Sequence, residues 1–438
     1  MNVLNQYSFR ISVASVLSFL LLMPVSVFAA VDPCLDRSSL PAASGTVVDV
    51  SSVSELNDAV SNLQNNSTIR LAPGTYSLSR TLYLRRNNVT IMGNGSDCGA
   101  VILAGRGMDN ADNGGVTHGI WSDAQNLTVM NLTIRDTYQH GIVFNSGAYA
   151  PTINSVALIN TGTQFIKSNP TSYSNGVNDG VVINSLFRYE VAPPATNHGG
   201  GTGYTNGVDV HAGDNWRISG NRFENFHTPD SANNLWNPAI LMWNGASGSV
   251  VENNVFVDVD RAVAFGLMQR SEGYDHEGGV IRNNMIYYRS GLYSSSRTSS
   301  SDGAIIVWNS PNSVVAHNTI LTNGNLNRSI EFRFNTSGAQ AINNLFDASI
   351  GSRNSATYAA TGNASGAAQA LFVNPGNGDL RLRETATAVM NVVDVVSYAP
   401  TDVDGTQRSG AGSVDVGAHE FTAMSPPRPP ENVQVQGN

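Results

Sequence analysis

The sequence predicts an all-β chain wound as a parallel β-helix, a solenoid of stacked coils, with a short helix capping its N-terminal end. Three observations predict it. The first is an asparagine that returns in one local frame, at Asn131, Asn154, Asn184, Asn221, Asn254, Asn284, Asn318 and Asn344, with spacings of 23, 30, 37, 33, 30, 34 and 26 residues. Periods of roughly 20–50 residues mark solenoids and propellers. The second is a further strand that recurs with the asparagine, mostly opening on a small residue: Gly119–Asp123, Gly141–Asn145, Phe165–Asn169, Gly207–His211, Ala239–Trp243, Ala262–Gly266, Ala304–Trp308 and Ser329–Arg333. All recur in one direction, so the sheets are parallel. The third is composition: charged residues are 13% and there are 42 glycines, which suits many short strands joined by turns and neither a helical bundle nor a disordered chain.

Taken in order, residues 1–29 read as a secretory signal peptide. Arg10 precedes an apolar run from about Ile11 to Leu22, and Val27-Phe28-Ala29 closes it as a cleavage signal. The expected locale is therefore secreted or periplasmic, with no membrane span left after cleavage. Cys34 and Cys98 are the only cysteines, an even pair that in an exported protein predicts one disulfide. Residues 45–64 read as a strand and then an amphipathic helix, capped by Ser52 or Ser54, with Leu56, Val60 and Leu63 on one face. A solenoid needs such a cover over its open apolar end. Ile69 to Tyr76 reads as strand, turn, strand, and the coils run from about 80 to 347. Residues 372–421 are turn-rich and read as a C-terminal cap that completes a single domain over 45–421. The Pro-rich segment 424–438 reads as a disordered tail. Stacked asparagines in the turns are expected to pair amide to amide along the axis.

The chain carries 24 basic and 33 acidic residues, and Lys167 is its only lysine. No basic run is present, which argues against nucleic acid as a partner. The expected partner is a polysaccharide, with an acidic one as the candidate, bound by a monomer.

Solenoid register turns the sequence into a surface map. Alternation along the second strands puts Ile120, Ile142, Ile166, Val208, Ile240, Val263, Ile305 and Ile330 in one inward column. The outward columns read Trp121, Val143, Lys167, Asp209, Leu241, Ala264, Ile306, Glu331 and Asp123, Asn145, Asn169, His211, Trp243, Gly266, Trp308, Arg333. Coils stack about 4.8 Å apart and outward residues two apart lie about 6.6 Å apart, so Lys167 is expected beside Asp209, and His211 beside Asn169 and Trp243. Long insertions at 190–206, 227–238, 267–279 and 289–303 flank this patch, as walls of a groove would.

The export signal, the Pro73-Gly74-Thr75-Tyr76 element, the asparagine-bearing coils and the closing stretch from Asp404-Gly405 to Glu420 resemble the secreted single-stranded right-handed parallel β-helix proteins. These are the superfamily of pectate lyases and of chondroitinase B and its alginate-lyase relatives. The resemblance covers roughly residues 45–421 and implies that fold and handedness. Chondroitinase B-like enzymes use a lysine and an arginine as base and acid; Lys167 corresponds by position only. The aspartate motifs of polygalacturonases, and the calcium-site aspartates and arginine motif of pectate lyases, have no counterpart here.

The leading expectation is a lyase that cleaves a uronate-containing polysaccharide by β-elimination, with a hydrolase or epimerase, or a non-catalytic carbohydrate binder, as alternatives. Lys167, Asp209 and His211 are the candidate catalytic residues; His211 titrates nearest neutrality. Asn169, Trp243, Asn244 and Arg270 are candidates for holding substrate, and Trp308, Glu331 and Arg333 for a more distant subsite. The bland readings are an exposed Lys167–Asp209 ion pair, a surface His211 bonded to Asp214, and tryptophans packed under loops. Hydrolysis needs two carboxyls roughly 5–9.5 Å apart, and Asp230 or Glu190 are the loop carboxyls available to partner Asp209. The sequence identifies no cofactor: Asp402 and Asp404 form a candidate calcium pair, against ordinary Asp-Gly turn chemistry, and Asp275-His276-Glu277 is a second metal candidate.

Overall fold

The computed structural model describes Cys34 and residues 40–193, 197–408 and 412–422. The expected signal peptide and the Pro-rich tail lie outside the described residues.

The chain is a parallel β-helix. Strand Thr46–Val50 leads into a helix over Val53–Ser61, where Ser52 Oγ accepts from the Glu55 amide at 3.2 Å. Glu55 in turn accepts from the Ser51 amide at 2.7 Å, so one orphan donor of the first turn and the amide just before the cap are both satisfied. Leu56 is buried, and Val53, Ala59 and Val60 pack on the core with it. Cys34 and Cys98 are joined as a disulfide across 64 positions, packed against Ala157 and Ile159.

Ten strands form one wall, ordered along the axis as Leu82–Leu84, Ile120–Ser122, Ile142–Phe144, Gln164–Ser168, Asn206–His211, Pro238–Trp243, Arg261–Phe265, Gly303–Trp308, Arg328–Arg333 and Ile350–Arg353. All pair parallel. The apolar column expected from the sequence is aligned residue for residue from Ile120 to Ile330, and every member is fully buried. Period-two alternation explains this: a slip of one residue would turn the whole column to solvent.

The remaining coil strands form a 21-stranded parallel system that carries the asparagine motif. Here the structure corrects the alignment of the repeat. Asn221, Asn254, Asn284, Asn318 and Asn344 form a continuous buried spine that ends on the partly buried Asn363, each Nδ2 donating to the next Oδ1 at 2.9–3.0 Å. Each accepting Oδ1 also takes the backbone amide of the residue before it in the spine, at 3.0–3.1 Å. Asn131 and Asn184 are not in this spine. They occupy the preceding corner, where the backbone is left-handed, at φ 53° and 51°, as are Asn253, Asn283 and Asn343. Asn154 sits one position earlier still, paired with Ile183. Ser185 fills the spine position in its own coil, its amide bonded to Asn221 Oδ1 at 2.9 Å. Two neighbouring columns thus favour asparagine for different reasons: an amide ladder in one, tolerance of positive φ in the other.

The C-terminal segment is not the end cap expected. Its strands Phe372–Asn374 and Asp379–Leu382 pair antiparallel, and Phe372, Leu380, Leu382, Val403, Val414 and Val416 pack on the outward side chains of Val255, Met285, Leu321 and Leu345. It covers the flank of four successive coils, because the outward positions of those strands are apolar and need shielding. Among the described residues no helix is long and apolar enough to cross a membrane.

Candidate active site

Strand register brings the expected residues together. Lys167 pairs with Asp209 and His211 with Trp243, and alternation points all four side chains out of the ten-stranded wall. Lys167 Nζ donates to Asp209 Oδ2 at 2.5 Å and to His211 Nε2 at 2.7 Å. An ammonium only donates, so His211 Nε2 is the acceptor and the imidazole carries its own proton on Nδ1. His211 Nε2 also lies 3.4 Å from Asp209 Oδ1. Trp243 Nε1 donates to that same oxygen at 2.8 Å, and its ring tilts against His211 with centroids 4.4 Å apart.

The expectation of an exposed ion pair is corrected. The Asp209 side chain is 0% exposed, Lys167 11% and His211 19%, so access decreases from imidazole to ammonium to carboxylate. Burial alone would raise the Asp209 carboxyl; the Lys167 charge and the hydrogen bond that Lys167 donates outweigh it and hold the group well below the usual carboxylate range. Nor does His211 bond Asp214, which instead accepts from Ser247 Oγ at 2.7 Å.

Of the candidates for holding substrate, Asn169 donates to Asn145 Oδ1 at 2.8 Å and continues the outward column upstream of His211. Arg270 stands 5.7 Å over the Trp243 ring while its Nε donates to Asp275 Oδ1 at 2.6 Å. Asp275, fully buried, also accepts the backbone amides of Asn244, Leu267 and Met268 at 2.7–3.0 Å. One carboxylate therefore anchors the loop that presents Arg270 and fixes the left-handed turn at Asn244 (φ 62°). Trp308, Glu331 and Arg333 lie three to four strands farther along the axis. Trp308 is 5% exposed and ringed by the guanidinium groups of Arg333, Arg261 and Arg353 at 4.7, 5.1 and 5.8 Å. Glu331 is 1% exposed and paired with Arg328 and Arg353, so its carboxylate faces protein. The structure does not bring these three to the lysine–histidine centre.

The metal candidates are spoken for by protein donors. His276 is fully buried between Ser310 and Ser249 and stacks on Phe265 at 4.0 Å, where burial pushes its imidazole down to about 3. Asp275 is occupied as described, so Asp275, His276 and Glu277 do not converge. Asp402, Asp404 and His419 offer ligand atoms within 4.8 Å of one another. Asp402 however accepts three backbone amides, from Asp404, Thr406 and Glu420, at 2.7–2.9 Å. Arg381 grips Asp404 with two bonds at 2.7 and 2.8 Å, and His419 Nδ1 takes the Leu382 amide at 3.1 Å. This is turn chemistry that ties down the C-terminal segment.

Two further groups lie near the centre. His140, at the start of the strand before Lys167, takes Thr163 Oγ1 at 2.9 Å and stacks on His118 at 5.0 Å. Burial first, then the His118 and Lys167 charges, push it down to about 3, so it stands neutral. Tyr204, from the 190–206 insertion, lies within the field of Asp209: burial and then that charge push its phenol up. No local motif marks either residue; the insertion's length was the available signal.

No protein-family model matches the chain, and no curated protein matches its sequence. Among solved structures, the alginate lyase from Paenibacillus sp. str. FPU-7 aligns over 74% of this chain and 99% of that one, at 18% identity and a TM-score of 0.49. The A-module of the mannuronan C-5 epimerase AlgE4 from Azotobacter vinelandii covers 72% and 90%, at 14% identity and 0.43. Pectate lyase Pel9A covers 84% and 90%, at 13% identity and 0.42. Likeness at this level carries no argument about chemistry, and the fold stands on the chain's own strand pairing.

Proposed function

We propose that this chain is an exported enzyme that cleaves a uronate-containing polysaccharide by β-elimination. The observation that carries the reading is the cluster in which Lys167 bonds both His211 and the buried Asp209, on the outward side of a wall that also presents Trp243 and Asn169. Elimination requires removal of the proton alpha to a carboxylate and stabilisation of the enolate that results. Lys167, ion-paired with Asp209, suits the second task rather than that of base. A substrate carboxylate draws its Nζ–H off His211 and frees the Nε2 lone pair. His211 then takes the alpha proton, the electron pair moves to expel the glycosidic oxygen from the beta carbon, and a carbon–carbon double bond forms. The imidazolium is the nearest acid for the departing oxygen. Preorganised charge at a largely water-excluded centre is where such stabilisation is strongest.

Hydrolysis is disfavoured by the same geometry. Asp209 is buried and engaged on both oxygens, by Lys167 and by Trp243. Glu190 is bonded to Arg135 at 2.8 Å, and Asp230 to Ser294 and Arg297 at 2.7 and 3.2 Å, so neither of the loop carboxyls is presented as its partner. Purified protein incubated with a panel of uronate polymers is expected to generate the ultraviolet absorbance of an unsaturated uronate. New reducing ends without that absorbance would assign a hydrolase instead.

A further inference from the structure

The outward columns that carry Lys167 and His211 continue upstream to the first two strands of the same wall. Tyr83 and Trp121 pair in register there, with ring centroids 5.6 Å apart and planes tilted by 52°. Tyr83 is 47% exposed, and Trp121 is partly exposed. Large aromatic rings left open on an outward face are unusual, since burial is where their area stabilises. Arg85 follows in the neighbouring outward column, and its guanidinium sits 4.4 Å over Trp121 and 5.5 Å from the Tyr83 ring centroid. Among the described residues it makes no ion pair, although Asp123 occupies the adjacent position in that column. Arg261, Arg328 and Arg353 on the same wall are ion-paired, and Arg333 donates to Asn354 Oδ1 at 2.7 Å. An exposed arginine lying on aromatic rings, without a carboxylate, is a cation still open to an anionic ligand.

We propose that Tyr83, Trp121 and Arg85 form a remote subsite for an acidic polysaccharide, stacking one sugar ring on the aromatics and pairing its carboxylate with Arg85. The occupant is a distant unit of the same chain that reaches Lys167 and His211, so this rests on the reading of the wall as a uronate-binding face. Three strand steps separate Tyr83 from Lys167 in their shared column, a span of about 14 Å at the spacing of neighbouring strands. Val143 and Asn145 lie between, level with the wall. A short oligosaccharide seated at the lysine cannot reach the platform, whereas a longer one can. The platform therefore selects for chain length and for charge, with no part in the bond-breaking step.

The test is binding, measured calorimetrically with a uronate disaccharide and a uronate hexasaccharide in the His211→Ala protein, in which turnover does not consume the ligand. Trp121→Ala and Arg85→Gln, each added to that background, are expected to weaken the hexasaccharide about tenfold, the scale of one well-placed contact, and to leave the disaccharide unchanged. Arg85→Gln should also flatten the salt dependence of hexasaccharide binding. Unchanged hexasaccharide affinity, equal weakening of both ligands, or no binding of the hexasaccharide at all would overturn the subsite. Failure of the elimination chemistry looks different: the native protein would then yield no unsaturated product, while hexasaccharide binding still depended on Trp121 and Arg85.

Discussion

Replacing His211 by alanine is expected to lower turnover on a uronate polymer at least about 100-fold, the scale of a lost general base, in a protein that melts like the native one. The reason is geometric. His211 has the most accessible side chain of the cluster, and its removal leaves the Lys167–Asp209 pair at 2.5 Å intact, so the fold keeps its charge balance. Lys167→Ala is expected to cost turnover on the same scale but also stability, by about 3–5 kcal/mol, because it strands the buried Asp209 carboxylate without its counter-charge. The two substitutions therefore separate: one kinetic defect with a native melt, one with a lowered melt. Turnover followed by ultraviolet absorbance, beside urea unfolding of each variant, checks both. Full activity in a folded His211→Ala protein would remove the histidine from the mechanism.

Asn284→Ala, at an interior position of the spine, is expected to destabilise the protein by about 3–5 kcal/mol, since each orphaned buried polar group costs roughly 1–3 kcal/mol. Asn284 Oδ1 accepts both the Asn254 backbone amide and the Asn254 Nδ2, each at 3.0 Å. Its Nδ2 donates to Val251 O at 3.0 Å and to Asn318 Oδ1 at 2.9 Å. Truncation leaves the Asn254 amide without a partner in a place closed to water. Asn363, at the far end and only partly buried, accepts from Asn344 and donates to Ala341 O, and its replacement by alanine should cost clearly less. Equal urea midpoints for the two variants would contradict a spine whose interior positions matter most.

Much of this architecture is legible in the chain because strand alternation is strict. The inward column from Ile120 to Ile330 and the outward neighbours Lys167 and Asp209 follow from counting by two. Less legible is what happens where two physical demands favour the same residue. Asparagine suits both the amide spine and the left-handed corner one residue before it, so Asn131 and Asn184 looked like members of a column they precede. Burial on an outward face is also hidden, because it depends on neighbours far away in sequence. Asp209 points out of the wall yet is sealed by Lys167, His211 and Trp243, and Glu331 is sealed by two arginines. The flank position of the C-terminal segment did have a signal: outward Val255, Met285 and Leu345 directly follow spine asparagines and leave an apolar strip that something must cover.

The fate of one hydrogen tests the central claim most directly. A uronate polymer carrying deuterium on the carbon next to the carboxylate should lose that label to solvent at each cleavage, because His211 removes it before the glycosidic bond breaks. Cleaved fragments that keep the deuterium on that carbon would contradict the account.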